Sequence, residues 1–117
     1  MGNPVTWFEI TGRDGAKLQA FYSELFDWKL DTNNPAKYGV VDTGGAIGGG
    51  VGATTDGSAG ATTFYVETDD VAGHLKRAET AGGTIVMDET QVMDDTAIGL
   101  FTDPEGHLVG LLRASQQ

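Results

Sequence analysis

Trp7-Phe8-Glu9-Ile10-Thr11-Gly12-Arg13-Asp14 is a short strand pattern closed by an aspartate, and Thr63-Phe64-Tyr65-Val66-Glu67-Thr68-Asp69-Asp70 repeats it. The offset is 56 residues, 63 minus 7, about half of the 117. A helical pattern follows each copy. Leu18, Phe21, Tyr22 and Leu25 follow the first at i, i+3, i+4, i+7 spacing, and Val71, Leu75 and Ala78 follow the second. Asp14 and Asp70 stand where a side-chain oxygen can cap the first helical turn. A half-length repeat implies two similar modules about a pseudo-twofold, with any pocket lying between them.

The rest of each module reads as three further strands. In the first these are 28–30, 38–42 and 46–51, with Asn33-Asn34-Pro35 as a turn. In the second they are 84–87, 97–102 and 108–112, with Gly82-Gly83 ending the helix and Asp103-Pro104-Glu105-Gly106 forming a tight turn. The order is strand, helix, three strands, performed twice, an α+β arrangement. Module 1 covers about 1–52 and module 2 about 62–117. The segment 53–61, rich in Thr, Gly, Ser and Ala, is the expected linker. All 117 residues form one expected domain.

The formal charge is −10, from 17 acids against 7 bases. This argues against nucleic acid and anionic membrane as partners, because phosphate binding needs clustered Lys and Arg. With no Cys there are no disulfides and no thiolate ligands or nucleophile. No basic segment followed by an apolar run opens the chain, and no apolar run is long enough to span a membrane. A cytoplasmic location is the expectation. A chain of this size gains from extra burial, so a homodimer is expected.

The run Gly44-Gly45-Ala46-Ile47-Gly48-Gly49-Gly50-Val51-Gly52 lacks the Gly-Lys-Ser/Thr of a phosphate loop, and no helix pattern starts there. It reads as a strand with little side-chain bulk, where a ligand or another backbone comes close. No Ser-His-Asp arrangement is visible. The Phe21-Tyr22 pair, Leu25, Phe26 and Trp28 are expected to pack between the first helix and its sheet.

Taken in order, 7–10, Phe21-Tyr22-Ser23-Glu24-Leu25-Phe26-Asp27-Trp28, Ile47-Gly48-Gly49-Gly50, 64–71, Ala81-Gly82-Gly83 and Phe101-Thr102-Asp103-Pro104-Glu105-Gly106-His107 resemble the vicinal oxygen chelate superfamily. That superfamily includes glyoxalase I, the bleomycin resistance proteins and the extradiol dioxygenases. The resemblance implies paired βαβββ modules with cupped mixed sheets, helices outside and frequent homodimers. Many such enzymes bind one divalent metal through His, Gln or Glu, two from each module. The matched positions here are Trp7, Gly48 or Gly49, Thr63 and Gly110. Trp and Gly side chains cannot ligate, and Thr is a poor neutral donor. His74, on the second helix, and His107, after the turn, suit surface or turn roles. No metal and no other cofactor is expected.

Strand alternation puts Val5, Trp7 and Glu9 on the cup face and Phe8 and Ile10 toward the helices. By the repeat, Thr63, Tyr65 and Glu67 face the cup, with Leu108, Gly110 and Leu112 on the last strand. The candidate ligand-binding residues are therefore Trp7, Glu9, Gly48, Thr63, Tyr65 and Gly110. Tyr38 offers a hydroxyl near the mouth. A carboxylate in apolar surroundings has a raised pKa, which makes Glu9 and Glu67 candidate general acids or bases. Three functions remain open: a metal-free protein that binds a small apolar or aromatic molecule, as resistance-type relatives sequester drugs; an enzyme of the same superfamily, of lyase, isomerase or dioxygenase type, using Glu9, Glu67 or a non-standard metal site; and an interaction protein whose cup is closed.

Overall fold

Asp14 and Asp70 start two helices as their positions predict. The computed structural model describes residues 2–93 and 95–114. The Asp14 side chain accepts from the Lys17 amide at 3.1 Å, and Asp70 accepts from the Gly73 amide at 3.0 Å. The elements run β1 (Val5–Gly12), α1 (Gly15–Phe26), β2 (Lys29–Asp31), β3 (Gly39–Asp42), β4 (Gly48–Ala53), β5 (Thr62–Glu67), α2 (Val71–Thr80), β6 (Thr84–Met93), β7 (Thr96–Thr102) and β8 (Leu108–Arg113). This is the expected α+β class with strand, helix and three strands in each half. Tyr38 falls just before its strand, and the fourth strand begins at Gly48 instead of 46.

The chain divides into two compact units, Thr6–Thr63 and Phe64–Gln117, the second joined by Met1–Val5. In the 6–63 unit the strand order is β2-β3-β4-β1. β1 and β4 are parallel, with Trp7 beside Gly48, Phe8 beside Gly49 and Glu9 beside Gly50. The other pairings in this unit are antiparallel. In the second unit the order is β5-β8-β7-β6, with β5 and β8 parallel and Tyr65 beside Gly110. One parallel pair and two antiparallel pairs make each sheet mixed.

In the second unit Val71 and Leu75 of α2 close over Leu111, with Val66, Ile85 and Phe101 packed against them. In the first, Val41 and Val51 are buried beneath α1. Phe8 meets Trp28 with ring centroids 5.3 Å apart, and Tyr22 stacks on Trp28 at 5.9 Å. These three rings fill the space below the helix. Phe21, Leu25 and Phe26, expected to pack inward, stay 56%, 58% and 53% exposed at its margins.

The segment 53–61 falls inside the 6–63 unit and does not run free. The Thr11 amide donates to the Ala61 carbonyl at 3.0 Å, the Thr54 amide to the Gly12 carbonyl at 2.9 Å, and the Arg13 Nε to the Gly57 carbonyl at 3.2 Å. These bonds lay the segment along the end of β1.

Among the described residues, the Thr6 hydroxyl is buried without a hydrogen-bond partner. Such an oxygen carries a desolvation cost with nothing to offset it. Thr6→Val keeps the branched shape and is expected to raise stability by about 1 kcal/mol. Chemical denaturation at constant m-value checks this, and a loss of stability would count against the orphan assignment.

Candidate functional site

The face of the first sheet turned away from α1 carries a connected polar and aromatic array. The Tyr38 hydroxyl donates to Glu9 Oε2 at 2.9 Å and accepts from the Trp7 indole Nε1 at 3.4 Å. All three residues are half-buried. Trp7 and Glu9 lie two apart on β1 and so share a face. Tyr38 reaches them from the loop before β3, and the backbone explains how. The Asn34 side chain clasps Tyr38 at both ends, accepting from its amide at 2.9 Å and donating to its carbonyl at 2.8 Å. Gln19 Nε2 on α1 donates to the Lys37 and Val51 carbonyls at 2.9 and 2.7 Å. Lys37 itself adopts the left-handed region at φ 56°.

The glycines of β4 make this arrangement possible. A Cβ added at Gly48 would meet the Trp7 ring at 3.4 Å, and one at Gly50 would collide with the Tyr38 phenol. On the opposite face a Cβ at Gly49 would strike the Phe8 ring. The low-bulk strand is thus covered by the protein's own aromatic rings, on both faces. The second unit repeats the device: a Cβ at Gly110 would run into the Tyr65 ring beside it.

The candidate residues fall into separate groups. Trp7, Glu9 and Gly48 come together around Tyr38. Tyr65 and Gly110 come together in the second unit, and Tyr65 is 3% exposed. Thr63 is 5% exposed. Glu67 lines a polar concavity of about 420 Å³ with Asn3, Thr68, Asp69 and Arg113. Its carbonyl accepts from Asn3 Nδ2 at 3.1 Å, and its amide donates to the Pro4 carbonyl at 2.8 Å. No sequence pattern marks the role of Gln19, and that of Asn34 is only hinted at. The Asn33-Asn34-Pro35 turn was the available signal, since an Asn side chain can hold backbone on both its donor and acceptor sides.

The histidines serve local structure. His74 Nδ1 lies 2.9 Å from the Thr68 hydroxyl, and its Nε2 lies 2.8 Å from Arg77 Nη2. Arg77 can only donate, so His74 Nε2 accepts and the proton sits on Nδ1. Exposed His107 pairs with Asp103, Nδ1 to Oδ2, at 3.0 Å. The amide of His107 holds the Asp103 carboxyl below the ordinary carboxylate value, helped by the His107 side chain and the Glu105 amide. A carboxyl lowered in the folded state adds stability above its unfolded pKa and loses it as pH falls through the folded one. Asp103→Asn is therefore expected to flatten the acid-side fall of Tm, and an unchanged slope would refute this.

At the four positions matched to superfamily metal ligands, the donor chemistry does not fit a metal ion. Trp7, Gly48 and Gly110 offer no side-chain ligand, and any side chain at Gly110 would need the space that the Tyr65 ring fills. Among the described residues no three His, Cys, Asp or Glu side chains gather into a possible metal site.

The model of the Glyoxalase/Bleomycin resistance protein/Dioxygenase superfamily matches residues 5–111, and the chain belongs to that superfamily. It is 29% identical to the anthracycline biosynthesis protein DnrV of Streptomyces peucetius over 86% of its own length and 43% of the relative's. It is 28% identical to the anthracycline biosynthesis protein DauV of Streptomyces sp. (strain C5) over the same shares. The chain thus spans less than half the length of these curated relatives. Among solved structures, a superfamily member from Vibrio splendidus 12B01 superposes with TM-score 0.67 at 12% identity, covering 97% of this chain and 100% of that one. Methylmalonyl-CoA epimerase from Mycobacterium tuberculosis superposes with TM-score 0.68 at 13% identity, covering 96% and 88%. At these identities the likeness shows the fold alone.

Proposed function

We propose that this protein binds a small, planar, partly aromatic molecule without using a metal ion. The observation that carries the reading is the Trp7–Tyr38–Glu9 array. An indole and a phenol offer stacking area, and a carboxylate held in place by Tyr38 supplies a directed polar contact. The donor-poor residues at Trp7, Gly48, Thr63 and Gly110 support binding without a metal ion. The names of the curated relatives concern anthracycline biosynthesis, which favours a polycyclic aromatic as the class to try first.

Isothermal titration against a panel of quinoline, acridine and anthraquinone derivatives tests the proposal, with elemental analysis of protein purified without chelators. Binding that weakens in Trp7→Ala, with no stoichiometric metal, is the expected result. A panel without a binder, or one equivalent of Zn, Ni, Mn or Fe, would overturn it.

A second reading makes the same face catalytic. The Tyr38–Glu9 hydrogen bond at 2.9 Å places a proton donor and a carboxylate acceptor together, as an isomerase-type step requires. Glu9→Gln abolishing turnover of a bound panel compound, with binding retained, would favour it. We further propose a cytoplasmic homodimer, supported by the exposed Phe21, Leu25 and Phe26 on α1. Sedimentation equilibrium giving a monomer at micromolar concentration would sink the dimer, and fractionation of the producing cells checks the location.

A further inference from the structure

We infer that the ligand of the Trp7–Tyr38–Glu9 face is a cation: an aromatic ammonium, or a planar ring bearing a fixed positive charge. The inference rests on the binding function proposed above and names its substrate class. Three observations point the same way. The first is the pairing of ring faces with a carboxylate. An indole and a phenol present negative quadrupole faces, and a carboxylate beside them adds a full charge, which together suit a positive group over a neutral or negative one. Glu9 is presented for this purpose by the Tyr38 hydroxyl at 2.9 Å, itself steadied by the Trp7 indole at 3.4 Å.

The second observation is the charge of the surrounding face. The register sets Glu9 beside Gly50, Gly50 beside Val40 and Val40 beside Asp31, so Glu9 and Asp31 share one row and one face. Strand alternation adds Asp42 and Lys29 to that face. Three carboxylates therefore stand against one ammonium. Asp31 and Asp42 each cap a turn, accepting from the Asn33 and Gly44 amides at 2.9 Å, which accounts for their positions but leaves their charge in place. The third is the field of the whole chain: a formal charge of −10 raises the local concentration of cations and depletes anions.

The test compares two probes that differ by one ring atom, 1-methylquinolinium and its neutral counterpart 1-methylnaphthalene. Calorimetric titration of the wild type and of Glu9→Gln reads out both. Glu9→Gln preserves an acceptor for the Tyr38 hydroxyl, and circular dichroism confirms its fold. The expected result is a loss of about tenfold or more in quinolinium affinity, with the affinity for methylnaphthalene changed by less than about twofold. Raising ionic strength from about 0.1 M to about 1 M should weaken quinolinium binding to the wild type and spare methylnaphthalene. If the variant does not fold, this salt dependence decides between the two outcomes alone. If the wild type binds methylnaphthalene and not quinolinium, or if both affinities change equally in Glu9→Gln, the cation inference falls while the small-molecule reading stands. If neither probe binds, the cation inference falls, and the wider aromatic panel decides the binding reading separately.

Discussion

Gly50→Ala is expected to weaken binding of the tightest panel compound by about tenfold or more, while lowering stability by only about 1–3 kcal/mol. The new Cβ would occupy the place of the Tyr38 hydroxyl and adjoining ring atoms. A tyrosine tip can swing aside more easily than a backbone can move, so the fold survives. The array does not. Once the phenol leaves, the hydrogen bonds of Tyr38 to Glu9 and to the Trp7 indole are both lost. Calorimetric titration beside thermal denaturation separates the two effects. A variant that is destabilised yet binds as tightly as wild type would show that ligand contacts lie elsewhere. Gly44→Ala is not a neutral control, because Gly44 sits at φ 86°. Gly45→Ala is the better one, since its added Cβ meets only the Thr43 hydroxyl at 3.6 Å.

The second large effect belongs to stability alone. Gly60 has φ 80°, and a Cβ there would fall on the Thr11 carbonyl, which is backbone and cannot rotate away. Left-handed geometry costs about 1–2 kcal/mol for a residue with a Cβ, and overpacking adds about 1–3 kcal/mol. Gly60→Ala is thus expected to lose about 3 kcal/mol. Gly57 is the matched comparison: its φ is 75°, and nothing lies within 4 Å of its added Cβ. Gly57→Ala should lose about 1 kcal/mol from backbone strain alone. The difference measures how firmly 57–61 is pinned to β1 through the Thr11 to Ala61 bond. Equal losses would mean that the segment yields and that its hydrogen bonds to β1 contribute little.

Much of this protein was legible in its order of residues because the relevant physics is local. An aspartate before an apolar 3.6-residue period starts a helix wherever it occurs, and both Asp14 and Asp70 did so. Alternation along 5–10 places Phe8 toward the helix and Trp7 and Glu9 on the other face, and the Phe8–Trp28 and Glu9–Tyr38 contacts agree. The glycine run was recognised as a close-approach strand, but what approaches it was not. That depends on register: only the pairing of Trp7 with Gly48, and Phe8 with Gly49, shows that the chain's own rings take the space. Phe21, Leu25 and Phe26 stay exposed, against the expectation from their spacing, for a related reason. Periodicity marks an apolar stripe but does not say how much of it Trp28, in the connection between α1 and β2, will already have covered.

By itself the sequence determined the doubled strand–helix–three-strand order, the helix starts and the negative charge. Only the tertiary structure decided that Tyr38 joins Trp7 and Glu9. Those partners are 31 and 29 residues away in the chain, and their meeting depends on Asn34, Gln19 and a left-handed Lys37 steering one loop over a glycine floor. Local periodicity carries the first kind of information, whereas contacts between distant segments exist only once the backbone path between them is set.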